Sequence, residues 1–394
     1  MKNELELQNN HNVYILGAGF SPQGDLPTIS DFMHKMRDSI GWLKSQRRNE
    51  EYDAIISVLR FMKEASSATR RVPVDIENIE DLFSLAAASP RRTDGRSSKN
   101  DIESIIPLAI AATLDFAFKT GSPRQTTVPI NHFRQGKVPQ GWNSTGSEYR
   151  PPLLDYEVGL MGGYFDNSDD QLNTIISFNY DTLVEDALLN LKIPFSYDLP
   201  KITIDPVSQN FNGNLIFEYE KDLPTLQVLK PHGSVNWVLS GYQKEKLRIY
   251  DSYQGVREET KSPFLIPPTW KKTFPRFVGD VLNKAGLALR TATRIIILGY
   301  SLPDPFFKFL IAAGLQENIS LREIYFVNNS LLNNDYSINH TITTGNPDVS
   351  QILEQRLLSI FRDDDHTRKM LHKIPRTIED FLTNDRQAIR RNSP

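Results

Sequence analysis

Five short apolar runs limit what this chain can fold into. Val13–Leu16, Thr174–Phe178, Thr225–Leu229, Arg294–Leu298 and Glu323–Val327 are each rich in Val, Ile, Leu, Phe or Tyr and too short for a helix. Runs that are apolar at consecutive positions fit strands buried on both faces, as in a parallel sheet covered by helices. The expected fold class is therefore α/β, a Rossmann-like parallel sheet flanked by helices. Sheets of this kind take ligands at the carboxyl ends of their strands. Here those ends carry the polar residues: Gly17, Asn179, Pro231-His232, Gly299 and Asn328 follow the five runs in order.

Residues 17–173 separate the first two runs. Within them Leu26–Lys44, Asn49–Ala65, Ile76–Ala88 and Ile102–Phe118 carry apolar residues near helical spacing. They predict a large, mainly helical insertion over about 35–150. Ser89–Asn100 (SPRRTDGRSSKN) reads as polar and exposed, and Gly121–Pro152 as a long irregular connection that orders against a partner or neighbour. Lys201–Pro224 and Tyr242–Pro268 read as Pro- and turn-punctuated connections. After Asn329 come a polar stretch, a helical segment around Val349–Phe361 and a charged end, Arg362–Pro394. The chain thus divides into a domain over 12–330 and a C-terminal helical segment over 331–394.

At 394 residues the chain exceeds a usual single core, which agrees with one large domain bearing an insertion. A net charge of −3 gives no reason to expect nucleic acid or an anionic membrane surface as partner. The absence of cysteine excludes disulfides and thiolate zinc sites, and fits a reducing cytosol. No stretch reaches the roughly 18 consecutive apolar residues of a membrane helix. The expectation is a soluble, cytoplasmic protein.

The first strand end reads VYILGAGFSPQGDLP. Gly17-Ala18-Gly19-Phe20-Ser21 is either a plain strand-to-helix turn or a turn whose glycines let a diphosphate approach the backbone. Pro22 stands where the dinucleotide fingerprint of dehydrogenases has its third Gly, so that pattern is absent. The second end, Asn179-Tyr180-Asp181, opens a helix that Asp181 or Thr182 caps, while Asn179 offers an amide that both donates and accepts. The third places His232-Gly233 after Pro231, either as a structural histidine or as a general base titrating near neutrality. The other six histidines, His11, His34, His132, His340, His366 and His372, sit in no comparable context. Gly299-Tyr300-Ser301 and then Asn328-Asn329 complete the set, with Asp304 read as a helix cap. Gly299 and Ser301 suit ribose or phosphate, and Asn328 an adenosine ribose.

In this order the motifs GAG-x-S, N-x-D, HG, G-x-S and a strand ending in Asn resemble the sirtuins. The likeness spans roughly Val13–Asn329 and is closest to the bacterial sirtuin-like NADases of anti-phage defence, which share GAGFS-, FNYDTL-, HGS- and GYSLPD-like segments. It implies a sirtuin-like NAD-binding domain over 12–330. It also implies that Gly17, Ala18, Gly19, Phe20 and Ser21 hold the pyrophosphate, and that Asn179 and Asp181 lie by the nicotinamide ribose and carboxamide. His232 is then the catalytic base, with Gly299, Ser301 and Asn328 holding the adenosine half. The implied activity is hydrolysis of NAD+ to nicotinamide and ADP-ribose, with NAD+ as substrate and no metal. Partners implied are a second copy of the chain, a HerA-type ATPase or a short Argonaute. The chain itself carries no phosphate loop of an ATPase.

Departures from the deacetylating sirtuins are equally specific. Their two Cys-x-x-Cys pairs are absent, and the roughly 60 residues after His232 hold no substitute ligand cluster. The Asp-Phe-Arg run that follows Ile-Pro in deacetylases is replaced by Thr28-Ile29-Ser30 after Leu26-Pro27, and Phe178 replaces the Gln before the Asn. Water rather than acetyl-lysine is the expected acceptor. Protein deacylation or ADP-ribosyl transfer, a non-catalytic NAD or ADP-ribose sensor, and an unrelated α/β domain are the competing readings.

Overall fold

A computed structural model describes residues 10–68, 75–88, 102–121, 153–163, 172–205, 215–216, 225–242, 244–259, 262–266, 276–300, 305–329, 331, 355–357, 359–360 and 365–384. All five apolar runs are strands: β1 (His11–Leu16), β2 (Leu172–Ser177), β4 (Leu226–Leu229), β9 (Arg294–Leu298) and β10 (Glu323–Val327). Two further strands, β3 (Phe195–Ser196) and β11 (Leu371–Ile374), complete a seven-stranded sheet of order β11-β10-β9-β1-β2-β4-β3. Every pairing within it is parallel. Among the described residues of the C-terminal segment, helices over Asp365–Met370 and Ile378–Asn384 flank β11, the edge strand of the main sheet, which pairs with β10.

Register decides what the strand ends bring together. Leu16 of β1 lies opposite Ser177 of β2 and Leu298 of β9, so the turns at Gly17, Phe178 and Gly299 begin level with one another. Ile176 lies opposite Leu229 of β4, so Asn179 and His232 each stand three residues beyond a paired position. The chain leaves β1 towards β2 and later returns to its other side as β9. Ligands of open α/β sheets bind beside such a switch.

Helix α1 (Ile29–Ser45), α2 (Asn49–Ala68), α3 (Ile79–Ala88) and α4 (Ile102–Thr120) form the helical insertion. They bury their apolar faces in a second core, centred on residues such as Met36, Ile55, Leu82 and Ile110. The main core lies around the sheet, with Val13, Ile15, Ile175 and Ile296 fully buried between helices such as α5 (Leu153–Met161), α6 (Leu183–Asn190) and α8 (Arg276–Thr291).

The turn-punctuated connection at 242–268 holds regular elements. It contributes β7 (Lys246–Ile249), α7 (Tyr253–Glu258) and β8 (Phe264–Leu265). β7 pairs antiparallel with β6 (Trp237–Ser240), and β8 with β5 (Gly233–Ser234). α7 is hooked to the helical insertion through Arg48. That guanidinium bonds Glu51 at 3.0 Å, also bonds Asp115, and stacks over the rings of Trp42 (4.9 Å) and Tyr253 (5.9 Å). Ser89–Asn100 and all of Gly121–Pro152 after Gly121 lie outside the described residues, as do His132, His340, Ser301 and Asp304. Among the described residues no helix is long and apolar enough to cross a membrane.

Candidate functional site

The first glycine turn is shaped by its neighbour strand. Gly17 N–H donates to Leu298 O (3.1 Å), Gly19 N–H to Gly299 O (2.7 Å) and Phe20 N–H to Gly17 O (2.9 Å). A Cβ on Gly17 would stand 2.2 Å from the Tyr300 ring, and one on Gly19 2.6 Å from Gly299 O. Gly299 itself has φ +60°. The glycines are thus required where two backbone turns meet, whatever else passes over them. Three N–H groups in the turn are already engaged inside the protein. Phe20 is 0% exposed and part of the main core.

The next strand end is tied to this turn. Asn179 Nδ2 donates to Gly17 O at 2.9 Å, which leaves the amide oxygen as the natural acceptor towards the cleft that Asn179 lines. Asp181 accepts from Ser21 Oγ through Oδ2 (2.7 Å) and from Leu183 N–H through Oδ1 (3.2 Å). It therefore caps α6 and braces the glycine turn at once. Asp181 also lines the cleft, with each carboxylate oxygen accepting one bond from the protein. One turn along α6, Asp186 accepts from Thr182 Oγ1 at 3.0 Å. Burial, with Glu185 beside it, raises the Asp186 carboxyl to about 7.

His232 enters from the third strand end, and Gly233 makes that possible. Gly233 has φ +76°, and a Cβ there would stand 2.3 Å from Phe264 O. Behind the ring, His232 O accepts Ile266 N–H at 2.8 Å. The imidazole meets the Phe178 ring edge-on at 5.1 Å and lies 6.2 Å from the Tyr180 ring. Phe178 in turn stacks at 5.2 Å on Tyr300, and Tyr180 OH donates to Ile266 O at 2.9 Å. The histidine is 4% exposed and the asparagine 7%, both inside one hollow.

That hollow is an open-mouthed cleft with about 70 Å³ of free volume in its interior. Ala18, Ser21, Asn179, Asp181 and His232 line one side; Ile29, Phe32, Ile79 and Ile110 of the helical insertion line the other. A second hollow beside it shares Leu114 and Asp181 and reaches Asp186 and Tyr253. Asn328 stands apart at the end of β10, where its N–H donates to Ile374 O (3.2 Å) and its carbonyl accepts from Leu331 (3.2 Å). From the two glycine turns it is Ala18, Ser21 and Tyr300 that line the cleft, and Ser301 lies outside the described residues.

Sequence reasoning missed the aromatic residues. In the sequence Phe178 only ends an apolar run and departs from a family pattern, and Tyr180 and Tyr300 fill the variable positions of N-x-D and G-x-S. Their signal was present, an aromatic beside each polar strand end, yet ring-to-ring contact between distant turns has no periodicity to reveal it. Lys230, two residues before His232, was missed for the same reason. Among the described residues no group of His, Cys, Asp or Glu is arranged to hold a metal ion.

No curated protein matches the chain. Residues 173–336 match the family model described as SIR2-like domain. That segment, somewhat under half of the chain, holds Asn179, Asp181, His232, Gly299 and Asn328, while the Gly17–Ser21 turn precedes it. With its parallel sheet and the cleft at the strand ends, the protein has a sirtuin-like fold, the setting of NAD-related activity.

Proposed function

We propose that this chain is an NAD+ glycohydrolase, releasing nicotinamide and ADP-ribose. The observation that carries the reading is the convergence of Asn179 and His232, 53 positions apart in sequence numbering (232 − 179), on one cleft at the carboxyl ends of β2 and β4. The residues fit such a dinucleotide: a level row of strand ends, a turn with Ala18 and Ser21 open to the cleft, and an amide and an imidazole at its inner end. Cleavage of the nicotinamide–ribose bond builds positive charge on the sugar, which water then quenches. Asn179, fixed through Gly17 O, presents a preorganised dipole to that charge and to the attacking water. His232 takes the proton from a ribose hydroxyl or from the water, an effect of about 10²–10⁴-fold. The aromatic rings around it exclude bulk solvent. Without cysteine, the chain lacks the thiolate zinc module of deacetylating sirtuins, which supports water over acyl-lysine as acceptor.

Uncontrolled loss of NAD+ is toxic, so the reading extends to a cytoplasmic enzyme held inactive until triggered, as in anti-phage defence. Control would come from self-assembly or from a partner such as a HerA-type ATPase. The test is nicotinamide release by the purified protein, alone and with its genomic neighbour. His232→Ala and Asn179→Ala are each expected to lower turnover at least about 100-fold. Full turnover in both variants would refute the assignment, and NAD+ binding without turnover in any assembly state would leave a sensor instead.

A further inference from the structure

Lys230 follows β4 directly, two residues before His232, with its side chain 0% exposed and paired at 3.0 Å with Glu185, itself 1% exposed. Its ammonium also donates to the backbone carbonyl of Asp181. Glu185 Oε1 accepts a further bond from Tyr197 OH at 3.1 Å. Burying such a pair costs several kcal/mol per ion, and an apolar replacement of both is often neutral or stabilising. What the ammonium contributes is therefore geometry. We propose that Lys230 is a positioning residue that ties the Asn179–Asp181 loop to the end of β4 and so holds Asn179 and His232 at their working separation.

The argument is one of connectivity. The segments that follow β1 and β4 each send the loop at least two bonds. Gly17 O accepts from Asn179, Ser21 donates to the Asp181 carboxylate, and Val235 N–H donates to Tyr180 O at 2.9 Å. Lys230 supplies the bond to the carbonyl of Asp181, two residues before α6, and its own carbonyl accepts Gly233 N–H at 3.1 Å, in the turn that carries His232. One residue thus grips both catalytic segments. Misplacement of reacting groups by about 1 Å costs on the order of 10²-fold in rate.

The inference rests on the hydrolase reading, and its test separates the two. Lys230→Met alone leaves Glu185 charged and buried, and is expected to destabilise the fold. The double variant Lys230→Met/Glu185→Gln removes both charges while Gln keeps an acceptor for Tyr197. It is expected to melt near wild type, keep KM for NAD+ within about twofold, and lose about 10- to 100-fold in kcat. Its amides at 180–183 are expected to exchange about tenfold faster than in the wild type. A double variant that regains wild-type kcat along with its stability overturns the proposal, as does unchanged exchange. A wild type that releases no nicotinamide with or without its partner refutes the hydrolase reading alone; the exchange comparison then decides whether Lys230 holds the loop.

Discussion

Gly299 holds a left-handed backbone at φ +60°, and a Cβ there would lie 2.5 Å from the carbonyl carbon of Gly19. Alanine at this position meets both an unfavourable conformation and a backbone that has no free torsion to yield. Gly299→Ala is expected to cost about 1–3 kcal/mol for the conformation alone and more for the collision. It should also displace the Gly17–Ser21 turn, of which Ala18 and Ser21 line the cleft, so that on the hydrolase reading affinity for NAD+ falls with stability. Urea unfolding reads the first effect and calorimetric titration the second; a midpoint equal to wild type would show that the two turns can part. The glycine pattern was plain in the sequence, yet its cause was not. A sequence shows where the backbone must turn, whereas the partner that forbids a side chain, here Gly19, 280 positions away in sequence numbering (299 − 19), is set by strand order. Asp181 teaches the same point, because capping was legible from its place before a helix, while its bond to Ser21 was not.

Elements that bury both faces were the most legible. Five apolar runs became five parallel strands, and four helical patterns became α1–α4 with only their ends adjusted. Elements stabilised by one edge or one face were lost: β3 has two residues, and β11 is a half-buried edge strand held by its ladder to β10 and by the Tyr325–His372 stack at 4.8 Å. β7 and α7 were hidden in a charged stretch, because their burial depends on the helical insertion that covers them. Arg48 is the tie between those parts, with Glu51 and Asp115 as its buried partners. Arg48→Met strands those carboxylates, although Asp115 retains Lys119 at 3.2 Å. The expected cost is about 3 kcal/mol, concentrated where the cation sat. Hydrogen exchange should quicken in α2, α4 and α7 while β1 and β9 keep their protection. Equal loosening of the sheet, or none anywhere, would contradict this role for Arg48.

Across the whole molecule, protons act in opposite senses at the two ends of the sheet. At the amino-terminal end His11 is buried, with Nδ1 3.0 Å from Thr291 Oγ1 and Nε2 3.0 Å from Thr174 Oγ1; burial lowers it to about 4 from an ordinary 6.5. The unfolded chain therefore binds the extra proton first, and the stability this site contributes near neutrality is lost as pH falls from about 6.5 to about 4. At the carboxyl end Asp186, and on α5 Asp155, are raised by burial to about 7 and about 6 from 3.8. For these the unfolded chain ionises first, so their contribution is greatest in acid and is lost as pH rises through 4 to 7. Because the losses overlap in pH, the wild-type curve alone is shallow, and differences against single variants isolate each site. The wild-type advantage over His11→Gln should grow by about 3 kcal/mol from pH 4 to 7. Asp186→Asn should instead gain on the wild type over the same interval, because a neutral amide never has to ionise in the wall beside the cleft. Urea midpoints across that range read both trends. Parallel curves for Asp186→Asn and wild type would mean that this carboxyl is solvated enough to titrate normally, and the hollow beside the cleft would then be wetter than its lining indicates.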